Sequence, residues 1–199
     1  MSTFLLKLAG LAWSPEQLRS LLGPAALGID GLELDVLHAV EGRETYAYLT
    51  IPGALAATAA GAMRRVFDTD LPAHCSAAQV IELSCTQDVA GQAAGRPASW
   101  HYIVETDIQP GAEQDFNDWY STEHLPGLAA VPGTVRARRY LARPAAPRYY
   151  AAYDLETLET FGSEPWLAVR ATDWSSRVRP SFMNTKRTMF KRVPPQKEA

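Results

Sequence analysis

Strand-like and helix-like patterns alternate along the first half of the chain. Ser14, Pro15 and Gln17 occupy the N-cap, N1 and N3 positions typical of a helix start. Two β-rich runs flank the turn 41–43 as a hairpin would. The predicted elements are a strand at 4–8, a helix from Pro15 to about Leu22, strands at 32–40 and 45–51, an alanine-rich helix from Pro52 to about Phe67, and a strand at 79–85. Their order is βαββαβ.

The same order returns in the second half. Gly31 and Gly133 both open a strand that leads, fifteen and sixteen residues later, to Tyr46 and Tyr149, which indicates duplication of a whole small domain. The run DVAGQAAGRPAS at 88–99 has little apolar bulk and is interpreted as a linker. The second set of predicted elements is a strand at 100–108, a helix at 111–124, strands at 134–142 and 148–155, a broken helical stretch at 157–178, and a strand at 183–192. The predicted boundaries are a first repeat at 1–88, a linker at 89–99, a second repeat at 100–193 and a tail at 194–199.

Each βαββαβ unit predicts a ferredoxin-like, four-stranded antiparallel sheet with two helices on one face. The other sheet face must then be buried elsewhere. The predicted fold is therefore α+β, with two tandem repeats whose bare sheet faces form a barrel, helices outside and a cavity inside. If the repeats do not pair within the chain, they pair between subunits, so a homodimer is a possible partner arrangement.

Composition and charge narrow the function classes. Hydrophobic residues make up 47% of the chain, and 19 basic against 22 acidic residues give a net charge of −3. This balance predicts neither a nucleic-acid partner nor a membrane-surface partner. The two cysteines form no disulfide framework, the N-terminus lacks a signal-peptide pattern, and the uncharged stretch 53–63 is too short to cross a bilayer. These features predict a cytoplasmic protein.

Residues 113–126 carry the clearest candidate chemistry. Phe116, Trp119, Tyr120 and Glu123 recur at helical spacing, and the pattern predicts one amphipathic helix that ends at His124 because of Pro126. Reactive groups are therefore expected in the last turn of this helix.

The run FNDWYSTEHLP, followed by VPGTVRARRY and RYYAAYDL, resembles the dimeric α+β barrel superfamily and, within it, the EthD-like proteins. The resemblance covers about 100–192, and the first half resembles a degenerate copy without the WY…EHLP motif. It implies a barrel that holds a small aromatic or polyketide-like ligand, with His124 at the cavity mouth. The superfamily includes isomerases, cyclases, cofactor-free monooxygenases and haem-binding enzymes, so the fold does not transfer one chemistry.

The candidate catalytic residue is His124, as a general acid or base beside the cavity. Its alternative role is to cap the last carbonyls of its helix. Trp119 and Tyr120 are candidate ligand contacts or core residues. Strand alternation places Arg136, Arg138 and Tyr140 towards the barrel interior, where the arginines meet either an anionic ligand or a salt-bridge partner. The candidate ligand-binding residues are Trp119, Tyr120, Arg136, Arg138, Tyr140 and Tyr150.

Two function classes follow. One is a cofactor-independent isomerase, cyclase or monooxygenase that acts on a small aromatic or polyketide-like ligand through His124. The other is a non-catalytic small-molecule-binding or oligomerisation module. No cofactor is expected, with haem as the alternative, and no metal site is expected because the adjacent His74 and Cys75 lack a metal-ligand spacing.

Overall fold

The computed structural model describes residues 2–9, 13–55, 61–63, 66, 77–142 and 145–194. The chain divides into two compact units, one made of residues 1–84 and 190–199 and the other of residues 85–189. Half of the predicted helix from Pro52 to Phe67 lies outside the described residues, as do His74, Cys75 and 195–199. Among the described residues, no helix combines the length and apolar character needed to cross a membrane.

The first unit is an antiparallel sheet with helices. Ser14 accepts a hydrogen bond from the Gln17 amide, and the Gln17 side chain accepts one from the Ser14 amide, so the predicted capping box is confirmed. Leu18 and Leu22 project from the helix into the core of the unit. The elements are β1 (Ser2–Ala9), α1 (Pro15–Leu22), α2 (Pro24–Leu27), β2 (Glu33–Ala39), β3 (Glu44–Ile51) and the start of β4 (Ala77–Ala90). β1 pairs with β3 and β4, and β3 pairs with β2.

The second unit repeats this order. Its strands are β5 (Trp100–Ile108), β6 (Thr134–Ala142), β7 (Tyr149–Leu155) and β8 (Phe182–Arg192), whose last three residues belong to the first unit. β7 is paired antiparallel to both β5 and β6. The helices are α3 (Glu113–Trp119), α4 (Leu125–Ala129), α5 (Glu164–Arg170) and α6 (Asp173–Val178). The predicted α+β class, with antiparallel sheets and a repeated element order, is confirmed.

Side chains alternate between the two faces of the second unit's sheet. Tyr149, Ala151 and Tyr153 of β7 pack with Phe116 and Trp119 of the helices in one hydrophobic core. Their neighbours along the strand point to the opposite face, as the period of two requires. The predicted orientation of β6 is also found, because Ala137 belongs to the same core and Arg139 stacks on rings of that core.

The helix that carries His124 does not end at Pro126, so the predicted helix end is wrong. A π-helical turn at Tyr120–His124 follows α3, and α4 continues through Pro126. Proline lacks an amide hydrogen, and its ring clashes with the carbonyl four residues earlier in a regular α-helix. The wider turn, in which the Leu125 amide donates to the carbonyl of Tyr120, accommodates the proline without ending the helix.

The predicted linker 89–99 is a packed part of the second unit. The unit boundaries fall at 84/85 and 189/190, and Gly91, Gln92 and Ala93 donate backbone hydrogen bonds to Val135, Ala129 and Thr134. A Cβ at Gly91 would lie 2.1 Å from the carbonyl oxygen of Thr134. Small residues in this segment therefore permit a close backbone approach, whereas the sequence pattern indicated a spacer.

We expect Gly91→Ala to lower the free energy of unfolding by about 1–3 kcal/mol, because the added methyl group forces two backbone segments apart. Urea unfolding measures this loss. Ala94→Ser, an exposed change in the same segment, is the control and should stay within about 0.5 kcal/mol of the wild type. Equal stability of Gly91→Ala and the wild type would contradict the close approach.

Candidate functional site

His124 lies between the helices and the sheet of the second unit. Its ring stacks on the indole of Trp119, with centroids 4.1 Å apart and planes 22° from parallel, and it meets Tyr120 edge-on at 5.3 Å. Only 7% of the residue is exposed, and Nδ1 has no hydrogen-bond partner among the described residues. In a regular α-helix, residues five apart are separated by about 140° around the axis, so the stack depends on the π-helical turn.

Burial, and after it the nearby guanidinium groups of Arg170 and Arg179, lower the pKa of His124 to about 3. The imidazole is therefore neutral near pH 7. A neutral ring offers one hydrogen-bond donor and one acceptor, so the side chain can hold a bound molecule, and it becomes a proton acceptor when the negative charge of a bound molecule raises its pKa again.

Glu123 fixes the turn that carries His124. Its carboxylate accepts hydrogen bonds from Trp119 Nε1 at 3.1 Å and from Thr172 Oγ1 at 2.6 Å. Thr172 is also the N-cap of α6, where its hydroxyl accepts from the Ser175 amide. The position of the Trp119–His124 stack is thus linked to the start of α6.

A cavity of about 30 Å³ lies beside His124, within the second unit. This volume holds one or two water molecules and is far below the ~150 Å³ of a cavity that accepts benzene. The cavity is lined by Tyr102, Val104, Trp119, Tyr120, His124, Leu128, Tyr153, Trp166, Arg170, Arg179, Phe182 and Arg187. A ring-sized ligand therefore needs some of these aromatic side chains to move.

Three residues that line this cavity carry buried polar atoms without a hydrogen-bond partner among the described residues. They are His124 Nδ1, the Tyr153 hydroxyl and Trp166 Nε1. Burial raises the pKa of Tyr153 well above its ordinary value, so its hydroxyl stays protonated and can donate. Each such atom costs about 1–3 kcal/mol while it lacks a partner.

Three arginines line the same cavity from three elements. Arg170 is the last residue of α5, Arg179 follows α6, and Arg187 lies on β8. Arg170 and Arg179 are half-buried and Arg187 is exposed. Their positive charge makes the cavity favourable for an anion.

The structure brings together three of the predicted site residues. His124, Trp119 and Tyr120 are all buried and all line the cavity. Burial raises the pKa of Tyr120 to about 12, so its hydroxyl is neutral near pH 7 and can donate a hydrogen bond. The aromatic contacts expected around His124 are present.

The other four predicted ligand residues do not join them. These residues lie on the sheet face that points away from the helices, whereas His124 lies on the other side of the sheet, among the helices. They are Arg136, Arg138, Tyr140 and Tyr150. Arg136 Nε donates to Asp88 at 2.8 Å, and Arg138 Nη2 donates to Asp154 at 2.7 Å. Asp154 also bonds His101 Nδ1 at 2.7 Å, so both predicted arginines are engaged in ion pairs.

Sequence reasoning missed Tyr153 and the three arginines of the cavity. Tyr153 lies at a helix-facing position of β7, two residues from Ala151, so strand alternation alone could have placed it. The arginines lie eight and nine residues apart in three successive elements, and no local pattern predicts that they converge.

No protein-family model matches the sequence, and no curated protein matches it. Solved structures do match along nearly the whole chain. A monooxygenase-like protein from Fusobacterium nucleatum has a TM-score of 0.68 and 9% identity, with 97% of this chain and 92% of that chain covered. An anthrone oxidase-like protein has a TM-score of 0.57 and 14% identity, with 97% and 92% covered.

This chain has the fold of the dimeric α+β barrel superfamily. The expected fold, a ferredoxin-like α+β barrel, is thereby confirmed. Identities this low carry no information about the reaction, so the dimeric α+β barrel fold leaves the chemistry to the side chains of the site.

The expectation of no cofactor is contradicted by a further match. A haem-degrading enzyme from Listeria monocytogenes has a TM-score of 0.57 and 9% identity, with 96% of this chain and 99% of that chain covered. The described residues around His124 do not fit haem as they stand. The cavity of about 30 Å³ would have to open much further for haem than for a ligand of one to three rings, and the His124 ring lies flat against Trp119.

The depressed pKa of His124 predicts an acid-sensitive stability. In the unfolded chain the ring takes up a proton near pH 6.5, whereas in the folded protein it does so near pH 3. The unfolded state binds more protons between these values, so stability is full above pH 6.5 and falls as the pH is lowered towards 3. We expect the wild type to lose about 1.4 kcal/mol more than His124→Gln between pH 7.5 and 5.5 in urea unfolding.

The comparison of the wild type with His124→Gln cancels the contributions of the other titrating groups to the pH dependence of the free energy of unfolding. Equal losses in the wild type and in His124→Gln would show that the imidazole is not held neutral by burial.

Proposed function

We propose that the second unit binds a small aromatic molecule in the cavity beside His124 and that His124 exchanges a proton with it. The observation that supports this proposal most strongly is a group of three buried polar atoms that have no hydrogen-bond partner in the described part of the chain and belong to residues lining one cavity. Buried polar groups in proteins nearly always have partners, so three exceptions in one place point to a ligand.

Packing of a hydrophobic core does not by itself require the polar side chains of Tyr153 and His124. Phenylalanine at position 153 and an apolar residue at position 124 would fill the same space without the cost of an unsatisfied polar atom. The π-helical turn supports the same conclusion, because such turns occur frequently at functional sites.

The chemistry that these groups can perform is proton transfer at a carbon that a carbonyl acidifies. The neutral imidazole of His124 accepts a proton from a carbon that is adjacent to the carbonyl or conjugated with it through a ring, and the bonding electrons of that C–H bond pass through the conjugated system to the carbonyl oxygen as an enolate. The tyrosine and tryptophan donors and the arginines of the cavity stabilise the negative charge. Return of the proton to a carbon completes an isomerisation or an exchange. Cyclase and monooxygenase reactions would begin with the same deprotonation.

The second candidate is a non-catalytic binding or oligomerisation module. The small cavity volume favours it, because Trp119, Tyr153 and Trp166 fill most of the space beside His124. Under this alternative the imidazole has a packing role on Trp119. A cytoplasmic location and a homodimer stay predictions from the sequence.

Anthrone is a suitable probe because one similar structure is an anthrone oxidase-like protein. Its C10 hydrogens are acidic through the C9 carbonyl, and their exchange with deuterium needs no oxidant. We expect the wild type under argon to accelerate C10 exchange, measured by NMR, and His124→Gln to lose at least ~100-fold of that acceleration. Arg136→Gln, which breaks an ion pair on the opposite sheet face, should exchange anthrone at the wild-type rate.

The outcomes separate the two candidates. Binding without accelerated exchange would support the non-catalytic module. Unchanged exchange in His124→Gln would remove the proton-transfer role, and failure of anthrone to bind or exchange would contradict the proposed substrate class.

A further inference from the structure

We infer that the natural ligand of this cavity is an aromatic or conjugated carboxylic acid whose carboxylate binds Arg170, Arg179 and Arg187. This inference rests on the proposed function, since it names the chemical class of the molecule that occupies the same cavity. The ring of the ligand would lie among the aromatic residues, and its carboxylate would lie at the arginines.

The arginines converge although they come from separate elements. Arg170 ends α5, Arg179 follows α6 and Arg187 belongs to β8, yet all three line the one cavity. Arg170 and Arg179 are near enough to His124 to affect its pKa, and Arg187 affects the pKa of Tyr120. Like charges around one cavity repel one another; solvent screens the exposed Arg187, whereas the half-buried Arg170 and Arg179 are screened less and call for a counter-charge.

Most other arginines of the second unit have a carboxylate partner, whereas the described residues offer none to the three arginines of the cavity. Within the described part of the second unit, five arginines form ion pairs: Arg96 with Glu156, Arg136 with Asp88, Arg138 with Asp154, Arg148 with Glu113 and Arg177 with Asp115. Arg139 donates to Asn117 and stacks on aromatic rings. The described residues provide no ion-pair partner for the three arginines of the cavity.

Local interactions explain why an arginine is favourable at positions 170 and 179, but they do not explain why three arginines line one cavity. Arg179 Nε donates to the Ser175 carbonyl at 3.3 Å, and Arg170 lies in the last turn of α5, where a cation is favourable. Neither role accounts for Arg187, nor for the placement of all three beside an apolar cavity.

A carboxylate matches this arrangement better than a single enolate oxygen. It has two oxygens that can accept paired hydrogen bonds from guanidinium groups. One developing oxyanion carries a single negative charge, so three arginines can stabilise it and also neutralise a permanent carboxylate on the ligand. The aromatic lining gives the ring of such an acid its apolar contacts.

The test compares 2-naphthoate with its neutral counterpart 2-naphthamide on the full-length chain by isothermal titration calorimetry. We expect the wild type to bind naphthoate at least ~10-fold more tightly than naphthamide. Arg170→Gln and Arg179→Gln should each weaken naphthoate binding by about 5- to 10-fold and leave naphthamide binding unchanged. Arg177→Gln removes one charge from α6 outside the cavity and should change naphthoate affinity less than about twofold.

Failure of the inference and failure of the proposed function give different results. Equal affinity for naphthoate and naphthamide would overturn the carboxylate inference and leave the aromatic site standing. A loss in Arg177→Gln as large as in Arg170→Gln would overturn it too, because net charge would then explain the preference. If neither probe binds the wild type, both the inference and the proposed site are wrong.

Discussion

Pro126 has no amide hydrogen to donate to the carbonyl of Thr122, and this missing bond controls the geometry around His124. The helix continues through the proline because the preceding turn widens, with the Leu125 amide bonded to Tyr120 instead. The wide turn brings His124 over Trp119, five residues earlier, and buries both rings against the sheet. The neutral state of the imidazole and its place beside the cavity both follow from this local change in helix geometry.

The strands could be predicted because their physical basis is local. The strand-like runs and the element order repeated from the first half placed β5, β6 and β7 within a residue of their observed bounds, and the capping box placed the start of α1. Two other predictions failed where one local pattern fits two structures. A proline can end a helix or can follow a widened turn, and a run of small residues can be a spacer or can allow two backbones to approach, as Gly91 does.

The candidate site was predictable only in its local part. Trp119, Tyr120 and His124 are close in sequence, so they were expected near one another, but the π-helical turn that stacks His124 on Trp119 was not predicted. The partners that complete the cavity come from β7, α5, α6 and β8, and their convergence depends on packing that a single sequence does not encode in any local pattern. Arg136 and Arg138 were reasonable anion-binding candidates, but each forms an ion pair within the unit, with Asp88 and Asp154 respectively.

The indole of Trp119 has an unusual set of neighbours: an imidazole stacked on one face, and the Glu123 carboxylate that accepts its Nε1 hydrogen. The excited state of an indole is sensitive to both kinds of neighbour. Any molecule that enters the cavity and separates the two rings alters the surroundings of this chromophore. The fluorescence of Trp119 therefore reports whether the cavity beside His124 is occupied.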